Sequence, residues 1–266
     1  MNRIESTFNK LKDQGRKALV PFVTAGDPSL EATARLIPAL AEAGADIIEL
    51  GVPFSDPMAD GPTIQASSLR ALEQGVTLKR ILDMVAEVRK SCEVPIVLMG
   101  YFNPVFCYGV ERFAADAGSA GVDGILIVDL PPEEAQEIRP YLKKHQIDFI
   151  TLLAPTTPEN RQRQLAAEAE GYIYYVSMTG VTGVATVNRD AIADAVTSLR
   201  QHSPVPVAVG FGVNSPETAA GIAAISDGVV VGSALIKKIE EADDTEAAIA
   251  QATTFVQALR RGIDQV

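Results

Sequence analysis

Short runs rich in β-branched residues alternate with amphipathic helical segments along almost the whole chain, and this alternation limits the possible folds most strongly. We predict strands at residues 18–23, 46–50, 95–99, 124–128, 149–153, 172–176, 205–209 and 228–231. Each predicted strand is followed by helical periodicity, which is typical of repeated βα units. The near-continuous valine, isoleucine and leucine content of the strands fits a parallel sheet that is buried on both faces.

Eight such units predict an α/β fold of the (β/α)8 TIM-barrel type. Two predicted helices lie outside the repeat: an extra N-terminal helix at residues 3–13 and a short extra helix at residues 233–240, after strand eight. The alternative is a doubly wound open sheet, because periodicity does not detect closure. We expect residues 1–266 to form a single barrel domain, since such barrels typically contain about 250 residues.

The composition argues against several classes of function. A formal net charge of -11 and the lack of a basic run argue against nucleic acid as a partner. No apolar run reaches the ~20 residues of a membrane span, so we expect a cytoplasmic protein without a membrane partner. Cys92, Cys107, His145 and His202 show no metal-ligand spacing, and we therefore expect no metal site.

Two acidic residues near the end of the second predicted strand are the candidate catalytic groups. Glu49 follows the apolar residues Ile47 and Ile48, so burial is expected to raise the pKa of its carboxyl toward neutral pH. Asp60 lies in a loop rich in glycine and proline, and active sites of barrels collect at the strand C-termini. The alternative is that Glu49 is a surface residue and Asp60 a turn former.

Three turns that contain glycine follow strands six, seven and eight, at residues 179–183, 210–212 and 232–234. Glycine allows a close backbone approach to an anion, and the last turn opens a short helix with free N–H groups. Phosphate in barrels commonly binds after strands seven and eight. The turns therefore predict a phosphate site, although each could also be an ordinary barrel turn.

Apolar and aromatic side chains are predicted at the same rim of the barrel. Phe22 ends strand one, Tyr174 lies in strand six and Phe211 lies between two glycines, with Met99 and Leu126 on neighbouring strands. Each of these residues could simply belong to the core. Together they could enclose a flat apolar group beside the two acids, so we expect a ligand with an aromatic end and a phosphorylated end.

The loop that carries Asp60 also resembles a known family signature. Residues 49–65 read ELGVPFSDPMADGPTIQ and resemble the signature of the tryptophan synthase alpha chain family. The resemblance extends to residues 21–28, 101–104, 129–131, 180–183 and 210–212 and covers essentially the whole chain.

This resemblance implies that the chain cleaves indole-3-glycerol phosphate to indole and glyceraldehyde 3-phosphate, by a retro-aldol reaction without a cofactor in this subunit. It implies that Glu49 is the general acid/base and that Asp60 stabilises positive charge on the ring nitrogen. It also implies a phosphate site at Gly183, Gly212, Gly232 and Ser233, an indole pocket formed by Phe22, Met99, Tyr174 and Phe211, and a lid or support role for Thr182.

The same resemblance implies a partner. A tryptophan synthase beta chain that carries pyridoxal phosphate would receive the indole through a tunnel, in an α2β2 assembly. We expect the contact or its lid near Asp56 and Pro57, near Asn103 and Pro104, and at residues 179–188. At a barrel rim such loops could also be flexible edges without a further role.

Two other functions are weighed against this one. A different phosphate-binding barrel lyase or isomerase would usually place a catalytic lysine at a strand end, and the predicted strand ends contain none. A catalytically silent homologue that binds a beta-type partner should lack one of the two acids, whereas this chain has both.

Overall fold

The computed structural model describes residues 2–176, 189–210 and 212–266. The parallel strands form a closed barrel in sequence order. They are β1 (Ala18–Thr24), β2 (Ile48–Gly51), β3 (Ile96–Gly100), β4 (Gly124–Ile127), β5 (Asp148–Leu153), β6 (Glu170–Val176), β7 (Val207–Gly210) and β8 (Gly228–Val231). Strand β8 pairs with β1, from Gly228 beside Ala18 to Val231 beside Pro21. The predicted TIM barrel is therefore confirmed, and the open sheet is excluded by this pairing.

Helices surround the barrel and join consecutive strands. They are α1 (Arg3–Asp13), α2 (Leu30–Glu42), α3 (Pro62–Glu73), α4 (Leu78–Val88), α5 (Phe102–Tyr108), α6 (Val110–Ala120), α7 (Arg139–Lys144), α8 (Glu159–Ala167), α9 (Arg189–His202), α10 (Pro216–Ala223), α11 (Ser233–Glu240) and α12 (Thr245–Ile263). Both predicted extra helices are present, as α1 and α11. Within the described ranges, none of the helices has the length and apolar character required to cross a bilayer.

Two local expectations were wrong. Residues 101–104, which match a turn in the family that the sequence resembles, instead contain the start of α5, where a proline in the first turn loses no helical hydrogen bond. The two prolines and two acids of residues 131–134 predict a helix that starts at Pro131, but the helix starts only at Arg139, after turns and a short 3₁₀ segment. Pro131 precedes another proline, which disfavours helical backbone at that position.

The apolar core has two layers. One layer packs the helices against the outside of the strands, and the other fills the barrel interior. Helix α1 supplies Ile4, Phe8 and Leu11 to the interior layer, so it closes the amino-terminal end of the barrel. The ring centroids of Phe8 and Tyr172 lie 5.9 Å apart. Because that end is filled by side chains, a ligand can enter the barrel only from the carboxyl ends of the strands.

Candidate active site

A cavity of about 410 Å³ opens at the carboxyl ends of the strands. Its walls bring together two groups of residues that are far apart in the chain, namely the acids near β2 and the turns that follow β7 and β8. Eight of the predicted site residues line it: Phe22, Glu49, Asp60, Met99, Tyr174, Gly212, Gly232 and Ser233. This volume suits a small ligand, and the lining combines a few polar groups with apolar walls, as ligand sites usually do.

Glu49 lies in β2 and is completely buried. Its Oε1 accepts a hydrogen bond of 2.6 Å from the hydroxyl of Tyr172. Its Oε2 is also buried and receives no hydrogen bond from the described residues. Burial raises the pKa of Glu49 from 4.5 to about 8, although the bond from Tyr172 favours the carboxylate and lowers it. The expectation of an enclosed, weakly acidic carboxyl is therefore met, and one of its oxygens is free to exchange a proton with a ligand.

Tyr172 was not singled out from the sequence. It lies two residues before Tyr174 in β6, so both side chains point into the barrel, because side chains alternate between the two faces of a strand. This period of two could have revealed Tyr172 as a neighbour of the site. The same periodicity could not have shown that Tyr172 contacts Glu49, because the two residues lie 123 positions apart in the chain.

Asp60 lies in the loop between β2 and α3 and is half-buried. The preceding Ala59 donates its N–H to the hydroxyl of Tyr101 at 2.9 Å. Partial burial raises the pKa of Asp60, and a hydrogen bond from Tyr101 opposes this rise. The two acids therefore have different environments, because Glu49 is completely buried and Asp60 is half-buried beside the hydroxyl of Tyr101. Tyr101 is a second residue that the sequence analysis missed.

The apolar wall depends on two glycines that leave room for aromatic rings. A Cβ at Gly51 would lie 2.5 Å from Cζ of Phe22, and a Cβ at Gly210 would lie 2.3 Å from the hydroxyl oxygen of Tyr174. Both distances are far below van der Waals contact, so the rings occupy space that any other residue would fill. Leu126, in contrast, is buried within the barrel interior and does not line the cavity.

Another part of the cavity wall is formed by the turns after β7 and β8. Gly212 has a φ of +39°, which favours glycine, and a Cβ there would meet open space. Gly232 and Ser233 open α11, whose first N–H groups have no partner within the helix. The predicted residues Gly183, Thr182 and Phe211 lie outside the described residues. Asn214 and Lys237 also line this end and were not predicted.

No group of three or more histidine, cysteine, aspartate and glutamate side chains in the described part of the chain is placed to hold a metal ion. The arrangement can instead supply proton transfer at the Glu49 end, a hydrogen-bond acceptor at Asp60 and backbone N–H groups at the start of α11. These functions suit a ligand that is aromatic at one end and anionic at the other.

Comparison with known proteins shows which family this chain resembles. A family model described as "Tryptophan synthase alpha chain" matches residues 8–264. The tryptophan synthase alpha chain of Geobacter sulfurreducens is 57% identical over 263 residues, which cover 99% of each chain. That of Dechloromonas aromatica is 52% identical and covers 100% of this chain and 99% of its own.

Solved structures agree with this similarity. The tryptophan synthase subunit alpha of Legionella pneumophila str. Paris superposes with a TM-score of 0.92 and 41% identity, covering 100% of both chains. A chain from M. tuberculosis tryptophan synthase superposes with a TM-score of 0.88 and 34% identity, covering 99% of this chain and 100% of its own. The fold, the cavity and these full-length similarities together show that the chain belongs to the tryptophan synthase alpha chain family.

Proposed function

We propose that Glu49 and Asp60 are the two acids with which this lyase of tryptophan biosynthesis cleaves indole-3-glycerol phosphate to indole and glyceraldehyde 3-phosphate. One observation carries the proposal: a fully buried carboxyl and a half-buried carboxyl open into the same cavity, which the start of α11 also lines. The substrate has matching parts, since its indole ring would lie beside the acids and its phosphate beside the helix N-terminus.

Glu49 supplies the proton transfers of the retro-aldol reaction. With a pKa of about 8, its carboxyl holds a proton at neutral pH and can donate it to C3 of the indole. The resulting carboxylate then accepts the proton of the hydroxyl on the side-chain carbon bonded to C3. The carbon–carbon bond breaks, its electron pair returns to the ring, and the hydroxyl carbon becomes an aldehyde. Glu49 ends the cycle protonated, so it serves as both acid and base.

Asp60 stabilises the charge that forms between these two transfers. Protonation at C3 leaves positive charge on the ring nitrogen, and a fixed carboxylate that accepts the N–H hydrogen bond lowers the energy of that state. Tyr101 supports this role, because its hydroxyl holds the backbone of Ala59 and favours the ionised form of Asp60.

The remaining lining residues bind the substrate. Phe22, Met99 and Tyr174 would enclose the indole, and Gly212, Gly232 and Ser233 would hold the phosphate through backbone N–H groups and a hydroxyl. Phe211 in the indole pocket, Gly183 at the phosphate and Thr182 as a support remain predictions. We propose no cofactor in this subunit, because the reaction requires only proton transfer and charge stabilisation.

The beta chain is the partner that membership of this family implies, and we propose an α2β2 assembly in which pyridoxal phosphate belongs to the beta chain. The contact would lie beside the cavity mouth, near Asp56 and Asn103. Two exposed apolar side chains in these segments, Met58 at 85% and Phe106 at 64% exposure, support a docking surface there. We also propose that the chain acts as one domain in the cytoplasm.

The experiment is a comparison of indole release from indole-3-glycerol phosphate by the isolated chain and by three variants. Glu49→Gln should reduce turnover by about 100-fold or more, because it keeps the shape but removes the proton. Asp60→Asn should also impair turnover strongly, because an amide accepts the N–H but does not offset its charge. Asp56→Asn is the control, since Asp56 is exposed in the same loop and does not line the cavity.

Near-normal turnover by Glu49→Gln would refute its role, provided that circular dichroism shows an intact fold. An unimpaired Asp60→Asn variant would refute the charge-stabilising role separately. Adding the beta chain should accelerate cleavage by the wild-type chain. An isolated chain that already runs at the rate of the complex would contradict the proposed coupling.

A further inference from the structure

Lys237 is the one cationic side chain among the described residues that line the cavity. It lies in α11 four residues after Ser233, so the two side chains share one face of the helix, one turn apart. That face borders the part of the cavity that the start of α11 lines. A lysine there places a positive charge at the end where the proposed function places the substrate phosphate.

The two acids that follow Lys237 most closely in the chain are paired with other cations. Glu240 pairs with Arg70 at 2.7 Å, and Glu241 pairs with Lys238 at 3.4 Å. Lys237 itself makes no ion pair with any residue in the described ranges. Its side chain is exposed, and a lysine side chain is long and flexible enough to reach a ligand from its helix.

The negative charge of the whole chain increases the need for a local cation if an anionic substrate is to bind. The chain carries a formal net charge of -11, and the carboxyl of Asp60 opens into the same cavity. A phosphate dianion approaching this protein therefore meets an unfavourable overall potential, and neutral backbone N–H groups offset it only at contact range. A local cation at the mouth both attracts the anion from a distance and orients it with its phosphate toward α11.

We propose that Lys237 is a further substrate-binding residue of this site, which pairs with the phosphate group and steers anionic substrate into the cavity. This inference rests on the proposed function, because it assumes that the ligand carries a phosphate at the α11 end. It assigns Lys237 to binding and not to proton transfer, since the proposed function gives proton transfer to Glu49 and charge stabilisation to Asp60.

The test uses the full chain with Lys237→Gln, Lys237→Arg and the matched control Lys238→Gln, whose lysine lies on the same helix but does not line the cavity. Lys237→Gln should raise KM for indole-3-glycerol phosphate by about five- to tenfold and leave kcat within about twofold. Lys237→Arg should restore most of the loss. Lys238→Gln should match the wild type.

Two further readouts separate a phosphate contact from general damage to the cavity. Binding of glyceraldehyde 3-phosphate should weaken in parallel with KM, whereas binding of indole, which has no phosphate, should not change. The loss of kcat/KM caused by Lys237→Gln relative to the wild type should also shrink between about 20 and 300 mM salt, because salt screens the attraction between the lysine and the phosphate. Unchanged affinity for glyceraldehyde 3-phosphate, or an equal loss of indole binding, would overturn the proposal.

A failure of the role of Lys237 can be distinguished from a failure of the proposed function. If Glu49→Gln abolishes cleavage while Lys237→Gln behaves as the wild type, the proposed function stands and the role of Lys237 is refuted. If the wild-type chain does not cleave the substrate, the binding measurements with glyceraldehyde 3-phosphate and indole still decide the role of Lys237.

Discussion

The hydroxyl of Tyr172 donates a hydrogen bond of 2.6 Å to Oε1 of Glu49, and both side chains are completely buried. This bond opposes the effect of burial, because it stabilises the charged form of an acid that has lost its hydration. Tyr172 thereby limits the rise in the pKa of Glu49. The ring of Tyr172 packs against Phe8 of α1, the helix that closes the amino-terminal end of the barrel.

Tyr172→Phe should change the pH dependence of cleavage. Loss of the hydroxyl removes the bond that favours the carboxylate, so the pKa of Glu49 should rise above its value of about 8. The limb of the pH–rate profile that reports this ionisation should therefore move to higher pH. Turnover near neutral pH should fall about tenfold, because a more weakly acidic Glu49 gives its proton to C3 less readily. Tyr175→Phe is the control, because Tyr175 packs in the outer apolar layer. Identical profiles for both variants would contradict this role of Tyr172.

Glu49→Gln should become relatively more stable as the pH rises. Burial raises the pKa of Glu49 from 4.5 to about 8 in the folded chain, so between these values the folded state keeps a proton that the unfolded state releases. The protonated Glu49 therefore contributes to the stability of the wild type at low pH, and this contribution is lost as the pH rises through that window. Glutamine does not titrate, so the variant should gain up to about 1.4 kcal/mol per pH unit relative to the wild type.

This comparison is made by urea unfolding at about pH 5.5, 7 and 8.5. Glu73→Gln, at an exposed position of α3, serves as the control and should show no such slope. A constant difference between Glu49→Gln and the wild type over this range would show that Glu49 titrates in the folded chain as it does in the unfolded chain.

Gly51→Ala should weaken binding at the indole end of the cavity. The new Cβ would lie 2.5 Å from Cζ and 2.9 Å from Cε2 of Phe22, so the ring would have to move into the cavity or away from its wall. Indole affinity measured by titration calorimetry should fall about tenfold, while binding of glyceraldehyde 3-phosphate should change little. In a Phe22→Leu background the same substitution should have a smaller effect, and additive effects would argue against this contact.

Arg70→Ala should destabilise the fold more than loss of an ordinary surface ion pair. Asp27 is almost fully buried and accepts hydrogen bonds from Arg70 at 2.9 and 2.7 Å, and Arg70 also pairs with Glu240 of α11. Without Arg70 the carboxylate of Asp27 stays buried with only Ser67 as a partner among the described residues. The free energy of unfolding should fall by about 2–3 kcal/mol in urea titrations.

Arg35→Ala is the matched control, because Arg35 pairs with Glu246 between two exposed side chains. Its loss should lower the free energy of unfolding by less than about 1 kcal/mol. Equal losses for the two variants would mean that burial of Asp27 does not strengthen its dependence on Arg70.

Much of the fold and part of the candidate site could be predicted from local patterns. The eight strands followed from β-branched runs that alternate with helical periodicity, and α11 was expected from a glycine turn followed by one short helical segment. Glu49 and Asp60 were candidates because one ends a buried strand and the other lies in the following loop. The start of α7 was misplaced because acidic residues after two prolines resemble a helix start, while the backbone forms turns there.

The sequence by itself determined the order and type of the elements, the two acids and the glycine turns, because these depend on spacing between residues that are near each other in the chain. Only the tertiary structure decided that the barrel closes, that Tyr172 contacts Glu49 across 123 residues, that Tyr101 contacts the loop of Asp60, and that Lys237 lines the cavity. Such contacts depend on strand register and on the curvature of the closed sheet, and neither property leaves a periodic signal in a single chain.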